Sequence, residues 1–191
     1  MSKKDIKPLV GLALFTAIVV VLQFAGSFIH VGPFSVSLVL VPMVVGAAMY
    51  GYKSGAWLGF VFGLVVLLSG DAAAFLTVNP LGTVATVLLK GTLAGLCAGL
   101  AYKMLEKFNT YAAVAAAAAV CPIVNTGVFL VGCLLFFMPT ISGWAEAGGF
   151  GAHVGTYMIT GLVGLNFVFE LLVNIVLGPV IVRIIHIGKK M

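Results

Sequence analysis

Charge is what this chain lacks most. Of its 191 residues only 8% are Asp, Glu, Lys or Arg, while 62% are hydrophobic and the mean hydropathy is +1.25. Soluble domains carry about 25% charged residues; a chain this apolar would aggregate in water, so its solvent is lipid. Cysteine is limited to Cys97, Cys121 and Cys133, all inside apolar segments and without CxxC spacing. That excludes a disulfide framework and argues against a cysteine metal site. His30, His153 and His186 fall at three separate ends of the apolar segments, so neither a metal nor a cofactor is expected. Five acidic residues spread over the chain supply no catalytic cluster, which argues against an enzyme. Alternation with period two over ten-residue stretches is missing as well, which removes a transmembrane β-barrel.

What is present is a series of apolar runs long enough to cross a hydrocarbon core of roughly 30 Å at 1.5 Å per residue. The pattern predicts an all-α integral membrane protein, one domain over residues 1–191. Its six spans are expected near 8–30, 34–50, 54–70, 82–102, 111–137 and 155–182. A signal peptide is a weaker reading of the first run, which is long for that role and is followed by five more. The last two spans are long enough to need tilt or a kink, with Pro122 and Pro179 as candidate sites. Lys3, Lys4, Lys7, Lys53, Lys103, Lys107, Arg183, Lys189 and Lys190 all fall on one side of this arrangement. The opposite loops contain no Lys or Arg, so the positive-inside bias puts both termini in the cytoplasm. The same bias explains the net charge of +5 without any nucleic acid.

Small residues mark contact faces. Gly55, Gly59 and Gly63 repeat at four-residue spacing, as do Gly91, Gly95 and Gly99. Such stripes let helix backbones approach, which matters where no hydrophobic effect drives helices together. Ala13 and Ala17 form a small-xxx-small pair near the cytoplasmic end of the first span.

Two charges lie deep inside apolar segments, Lys90 and Glu170. A charge at that depth costs on the order of 2.5–3.5 kcal/mol on insertion scales and therefore usually has a partner or a ligand. Counted from the cytoplasmic anchors, Lys90, Glu170, Asn125 and Gln23 all lie roughly 20–24 Å above the inner boundary. Thr83, Thr86 and Lys90 share one helical face below Asn79, and Asn166, Glu170 and Asn174 share another. Polar stripes from four helices at one level describe a pocket opening outward for a polar solute. A plain Lys90–Glu170 ion pair locking two helices is the competing account. Asn125 and Gln23 would then be interhelical glue worth about 0.6 kcal/mol each. The loop over residues 139–153, rich in glycine and carrying Trp144 and Glu146, reads either as a movable lid or as an idle surface loop.

Three stretches, VSLVLVPMVVGAAMYGYKSGAWLGFVFGLV (36–65), NPLGTVATVLLKGTLAGLCAGLAYK (79–103) and VCPIVNTGVFLVGCLLFF (120–137), carry a family resemblance. With the AxxxA pair and the predicted six spans, the chain resembles the substrate-binding S component of an energy-coupling factor (ECF) vitamin transporter. The likeness covers nearly the whole chain, though through loose hydrophobic patterns. It implies a prokaryotic, multi-pass protein of the cytoplasmic membrane that binds a micronutrient in the outer half of the bundle. It also implies association with a T component and two cytoplasmic ATPases, and toppling in the membrane to release the ligand inward. Ala13 and Ala17 would meet the T component, and the loop at 28–34 and the loop between the third and fourth spans would gate the pocket. The chain has no G-x-x-x-x-G-K-[ST] phosphate loop, so energy from ATP would come from partners. A set of one cation, one anion, amides and hydroxyls suits pantothenate first. Riboflavin is second, with Phe75, Phe129 and Trp144 as stacking candidates. A self-sufficient proton-coupled secondary transporter using Lys90 and Glu170 is the alternative, although the two halves show no inverted repeat.

Overall fold

A computed structural model describes residues 3–28, 30–31, 34–35 and 37–190. Helix α1 (Lys3–Gly26) leads into a two-residue antiparallel ladder of β1 (His30–Val31) with β2 (Phe34–Ser35). Then come α2 (Leu40–Tyr50), α3 (Tyr52–Ser69), α4 (Ala73–Leu76), α5 (Pro80–Leu105) and α6 (Thr110–Phe136). The chain continues with α7 (Met138–Ala147) and α8 (Val154–Thr156), which runs into a π-helical turn, Tyr157–Leu162. It closes with α9 (Gly164–Val176) and α10 (Gly178–Lys190).

Local chemistry sets several of these limits. Gly51, at φ +92°, divides α2 from α3, a backbone conformation that side-chain-bearing residues rarely adopt. Asn79 caps α5 by accepting from the Gly82 N–H at 2.9 Å, with Pro80 opening the helix. Asn109 caps α6 by accepting from the N–H groups of Tyr111 at 2.8 Å and Ala112 at 3.3 Å.

Four described helices are long and apolar enough to span a membrane: Ile6–Gly26, Tyr52–Ser69, Pro80–Leu105 and Thr110–Phe136. A fifth span results if Val154–Leu162 and Gly164–Val176, bent by 43° at their junction, are taken together. These agree within a few residues with four of the expected spans. The other two differ. Residues 34–50 do not form one helix: α2 has 11 residues, about 16 Å of rise at 1.5 Å per residue, and the described residues just before it, 34–35 and 37–39, are non-helical. Nearly all of α2 is buried inside the bundle, where non-helical backbone at membrane depth is tolerated. The expected span at 155–182 is divided twice, by the π-helical turn and at Leu177, with Gly178 and Pro179 opening α10. Pro122, the other expected kink site, lies within the continuous α6. The stretch at 139–153 is also not a loose loop. Most of it is α7, with Ile141 and Ala145 buried, and Gly149 and Gly151 take positive φ in the turn that follows.

The packing centres on α3 and α5. A Cβ placed on Gly59 would collide with the carbonyl oxygen of Gly91, and one on Gly55 with that of Gly95; the reverse substitutions meet the same obstacle. The two glycine stripes thus face each other, backbone against backbone. Val19, Leu40, Met43, Leu58, Phe62, Ala94, Ala117 and Ile181 belong to the main core around this seam. A second cluster, including Phe75, Cys133, Phe137 and Ile141, closes the end under α7. Substituting Gly59→Ala should therefore destabilise the protein by about 1–3 kcal/mol, the range for overpacked cores. Gly127→Ala on α6, where an added Cβ meets nothing within 4 Å, should leave stability unchanged. Thermal unfolding of both variants in one detergent checks the contrast.

Candidate functional site

A cavity of about 70 Å³ lies between α1, α3, α5, α6 and α9. On that measure a water-sized group needs roughly 10–15 Å³, so several polar atoms fit without rearrangement. The cavity sits at the end of the bundle opposite the α2–α3 break and the α5–α6 turn. Chain direction explains its composition: α1 and α6 contribute residues from their C-terminal halves and α5 from its N-terminal half.

The structure brings together nearly all residues singled out from the sequence. Gln23, Thr83, Thr86, Lys90, Asn125, Asn166 and Glu170 all line the cavity. Asn79 is not among the lining residues; its side chain caps α5 and its carbonyl accepts from the Thr83 hydroxyl at 2.8 Å. Ala13 and Ala17 are exposed on α1, away from the cavity.

Lys90 and Glu170 do not lock onto each other. Among the described residues no ion pair or hydrogen bond joins Lys90 to a carboxylate. Its Nζ lies 5.7 Å from the ring centre of Phe62 and 5.4 Å from that of Phe129, within cation–π range. Glu170 and Asp71 act on it electrostatically from farther off. The Glu170 carboxylate instead accepts from the Ser37 backbone N–H at 3.3 Å and from Asn166 Nδ2 at 3.2 Å. Asn174, one turn on, donates Nδ2 to the Glu170 backbone carbonyl at 2.9 Å.

Three polar members of the wall were not singled out from the sequence: Asp71, Ser37 and Thr126. Asp71, just after α3, accepts from Gln23 Nε2 at 2.6 Å and from Ser69 Oγ at 3.1 Å, so a third charged side chain borders the cavity. An acid in a loop free of Lys and Arg was an available signal. Ser37 contributes a backbone N–H from the unwound stretch before α2, which no side-chain pattern announces. Phe75, Phe129, Phe137 and Phe167 supply the aromatic part of the wall. Phe75 meets Phe129, Phe137 and Trp144 edge-on, with centroids 5.5, 5.0 and 5.4 Å apart. The π-helical turn and its bend place Val163, Asn166 and Phe167 on the same wall.

Several buried polar atoms of the lining residues have no partner: the amide oxygens Gln23 Oε1, Asn125 Oδ1 and Asn166 Oδ1, which only accept, and the hydroxyl Thr86 Oγ1, which can accept or donate. Each such atom forgoes about 1–3 kcal/mol of hydrogen bonding. Three of the four can only accept, so a solute that meets them must bring donors. Among the described residues, no group of three or more His, Cys, Asp or Glu could hold a metal ion. The three cysteines are unpaired thiols.

Comparison with known proteins fixes what kind of chain carries this cavity. The model of the family "ECF transporter, substrate-specific component" matches residues 7–185. The chain belongs to that family. Along 199 aligned residues, 95% of each chain, it is 27% identical to the pantothenic acid transporter PanT of Lactococcus lactis subsp. cremoris (strain MG1363). A solved structure of ThiT from Listeria monocytogenes shares its fold, with a TM-score of 0.67 over 98% of both chains at 20% identity. As an ECF substrate-specific component, this is a multi-pass membrane protein that binds solute for a transporter. Its polar cavity, enclosed between helices, is the natural place to look for that solute.

Because Glu170 holds Ser37 and Asn166 together across α2 and α9, Glu170→Ala should lower the thermal midpoint. The loss expected for bonds to a charged acceptor is about 1.5–3 kcal/mol. Glu170→Gln retains an accepting oxygen and should lower it less. Equal losses in the two variants would mean that packing, not the hydrogen bonds, sets the effect.

Proposed function

We propose that this ECF component captures pantothenate from outside the cell and delivers it through a T component and two cytoplasmic ATPases. In this reading the chain is one domain that crosses the prokaryotic cytoplasmic membrane six times, with both termini inside. α2 and the α9–α10 region complete the crossings that the four long helices begin. The cavity then lies in the outer half, consistent with cations clustered at the other end. The observation that carries the substrate reading is Lys90, an ammonium bordering the cavity with no carboxylate among the described residues bonded to it. Pantothenate offers a carboxylate for that charge, and its hydroxyls and amide offer donors for the unpartnered oxygens of Gln23, Asn125 and Asn166. The 27% identity to a pantothenic acid transporter supports the same choice.

Riboflavin is the second reading, because Phe75, Phe129, Phe137 and Phe167 give the cavity an aromatic side. It ranks lower since Phe75 is already packed edge-on by three other rings. Family membership favours a subunit dependent on partners over a secondary carrier that works alone.

Replacing Lys90→Met keeps the apolar stem and removes the charge. Truncating one member of a buried charge pair costs about 2–5 kcal/mol, so pantothenate affinity should fall at least about 30-fold while the protein stays folded. Calorimetric titration measures this, and wild-type affinity in a folded variant would remove Lys90 from the site. Coupling is tested separately. Ala13 and Ala17 are exposed on α1, and their AxxxA spacing is what the family resemblance assigns to the T component. Ala13→Trp and Ala17→Trp should leave binding intact and stop uptake in cells; uptake at the wild-type rate would refute that assignment.

A further inference from the structure

We infer that Asp71 and Glu170 are positioning residues that fix two side-chain amides as acceptors, so that the cavity selects solutes by their hydrogen-bond donors. The inference deepens the reading of this cavity as the solute site and rests on it.

A free Gln or Asn amide can present either its NH₂ or its carbonyl oxygen by rotating about its last bond. Here that freedom is gone twice. Gln23 gives its Nε2 to Asp71 Oδ2 at 2.6 Å, and Asn166 gives its Nδ2 to Glu170 Oε1 at 3.2 Å. An ionised carboxylate only accepts, so reversing either amide would set oxygen against oxygen. The carboxylates are tethered in turn, Asp71 by the Ser69 hydroxyl and Glu170 by the Ser37 N–H.

In each unit the carboxylate takes one of the amide's two N–H groups and so fixes which way the amide faces, while the amide oxygen is left buried without a partner, Gln23 Oε1 in one and Asn166 Oδ1 in the other. The units come from different parts of the chain, α1 with the α3–α4 link and α9 with the stretch before α2. Both border the cavity, as does Lys90. The acids therefore need not touch the solute to decide what it must be. Two fixed carbonyl oxygens define a solute with at least two hydroxyl or N–H donors, whichever group it turns to Lys90. An analogue of equal shape whose donor is removed or methylated leaves a buried oxygen unmet and is rejected.

The test is a cycle in which protein and ligand are both altered. Pantothenate and its two mono-deoxy analogues are titrated calorimetrically into the wild type, Asp71→Asn, Glu170→Gln and Gln23→Met. In the wild type, loss of one hydroxyl should weaken binding about tenfold or more. In Asp71→Asn the new amide can donate to Gln23, freeing that amide to turn. Discrimination against one deoxy analogue should then shrink to about threefold or less, as it should in Gln23→Met. In Glu170→Gln discrimination against the other analogue should shrink. A purely structural role for the carboxylates would lower stability or all affinities together and leave these ratios unchanged, which would overturn the inference.

Should a variant fail to fold, the wild-type series still decides: equal affinity for pantothenate and both deoxy analogues refutes the inference while leaving pantothenate as substrate. If pantothenate does not bind, riboflavin and analogues lacking ribityl hydroxyls take its place. Donor discrimination among them would sustain the inference and refute the pantothenate reading. Failure of both vitamins to bind would overturn both.

Discussion

The backbone contact of Gly59 on α3 with Gly91 on α5 is the constraint on which the rest of the structure depends. In lipid, apolar side chains gain nothing by leaving the solvent, so helices hold together through close packing and hydrogen bonds. Glycine at the seam brings the two backbones into direct contact and fixes the rotation of α5 about its axis. Lys90 is the residue before Gly91, so with the glycine face turned to α3, Lys90 is turned to the cavity between Phe62 and Phe129. The same face choice places Thr83 and Thr86 on the wall. A packing device that carries no polar atom beyond the backbone thus aims the polar residues of α5.

The second constraint is the shortage of water at membrane depth. Each buried charge has to be met by something, and here the two carboxylates are met by donors from the protein itself. Asp71 takes Gln23 and Ser69, while Glu170 takes Ser37 and Asn166. A helix-locking ion pair would have brought Lys90 and Glu170 into contact and spent both charges. Instead the cation rests against aromatic faces and the anions are wrapped in amide and hydroxyl donors. Among the buried atoms left without a partner, four of five are amide oxygens. Those oxygens call for a solute that brings donors, while Lys90, joined to no carboxylate among the described residues, faces the same cavity.

Much of this was legible in the sequence, for a specific reason. A long helix turns a residue's number into a height and a direction, so Lys90, Asn125, Glu170 and Gln23 could be set at one depth by counting from the cytoplasmic anchors. The glycine stripes were legible on the same ground. What was not legible is what departs from helical regularity. Ser37 acts through its backbone because residues 37–39, just before α2, are non-helical, and an apolar run at 37–50 looks the same in sequence whether its first residues are helical or not. The bend at Val163 has no proline to announce it. α7 was obscured by its glycine-rich surroundings, although Ile141 and Ala145 stand at i, i+4 spacing. Asn79 caps α5 rather than lining the cavity, because a polar residue at a helix start satisfies the helix first.

Asp71 shows the limit most clearly. It follows Gly70 at the end of α3, while Gln23 lies near the end of α1, and helical counting says nothing about which ends of different helices adjoin. Only the assembled bundle brings them within hydrogen-bond distance. Once joined, the pair changes the meaning of Gln23. Read alone, it is a polar residue of either sign, as suited to gluing helices as to holding a ligand. Bonded to a carboxylate through its nitrogen, it is an acceptor with one orientation, and Asn166 acquires the same fixed polarity from Glu170. Residue identity supplies the functional groups of such a cavity, but long-range pairing decides which end of each group the solute meets. Relatives in one fold can therefore keep their helices in place and still change the solute they choose by exchanging a single acid behind an amide.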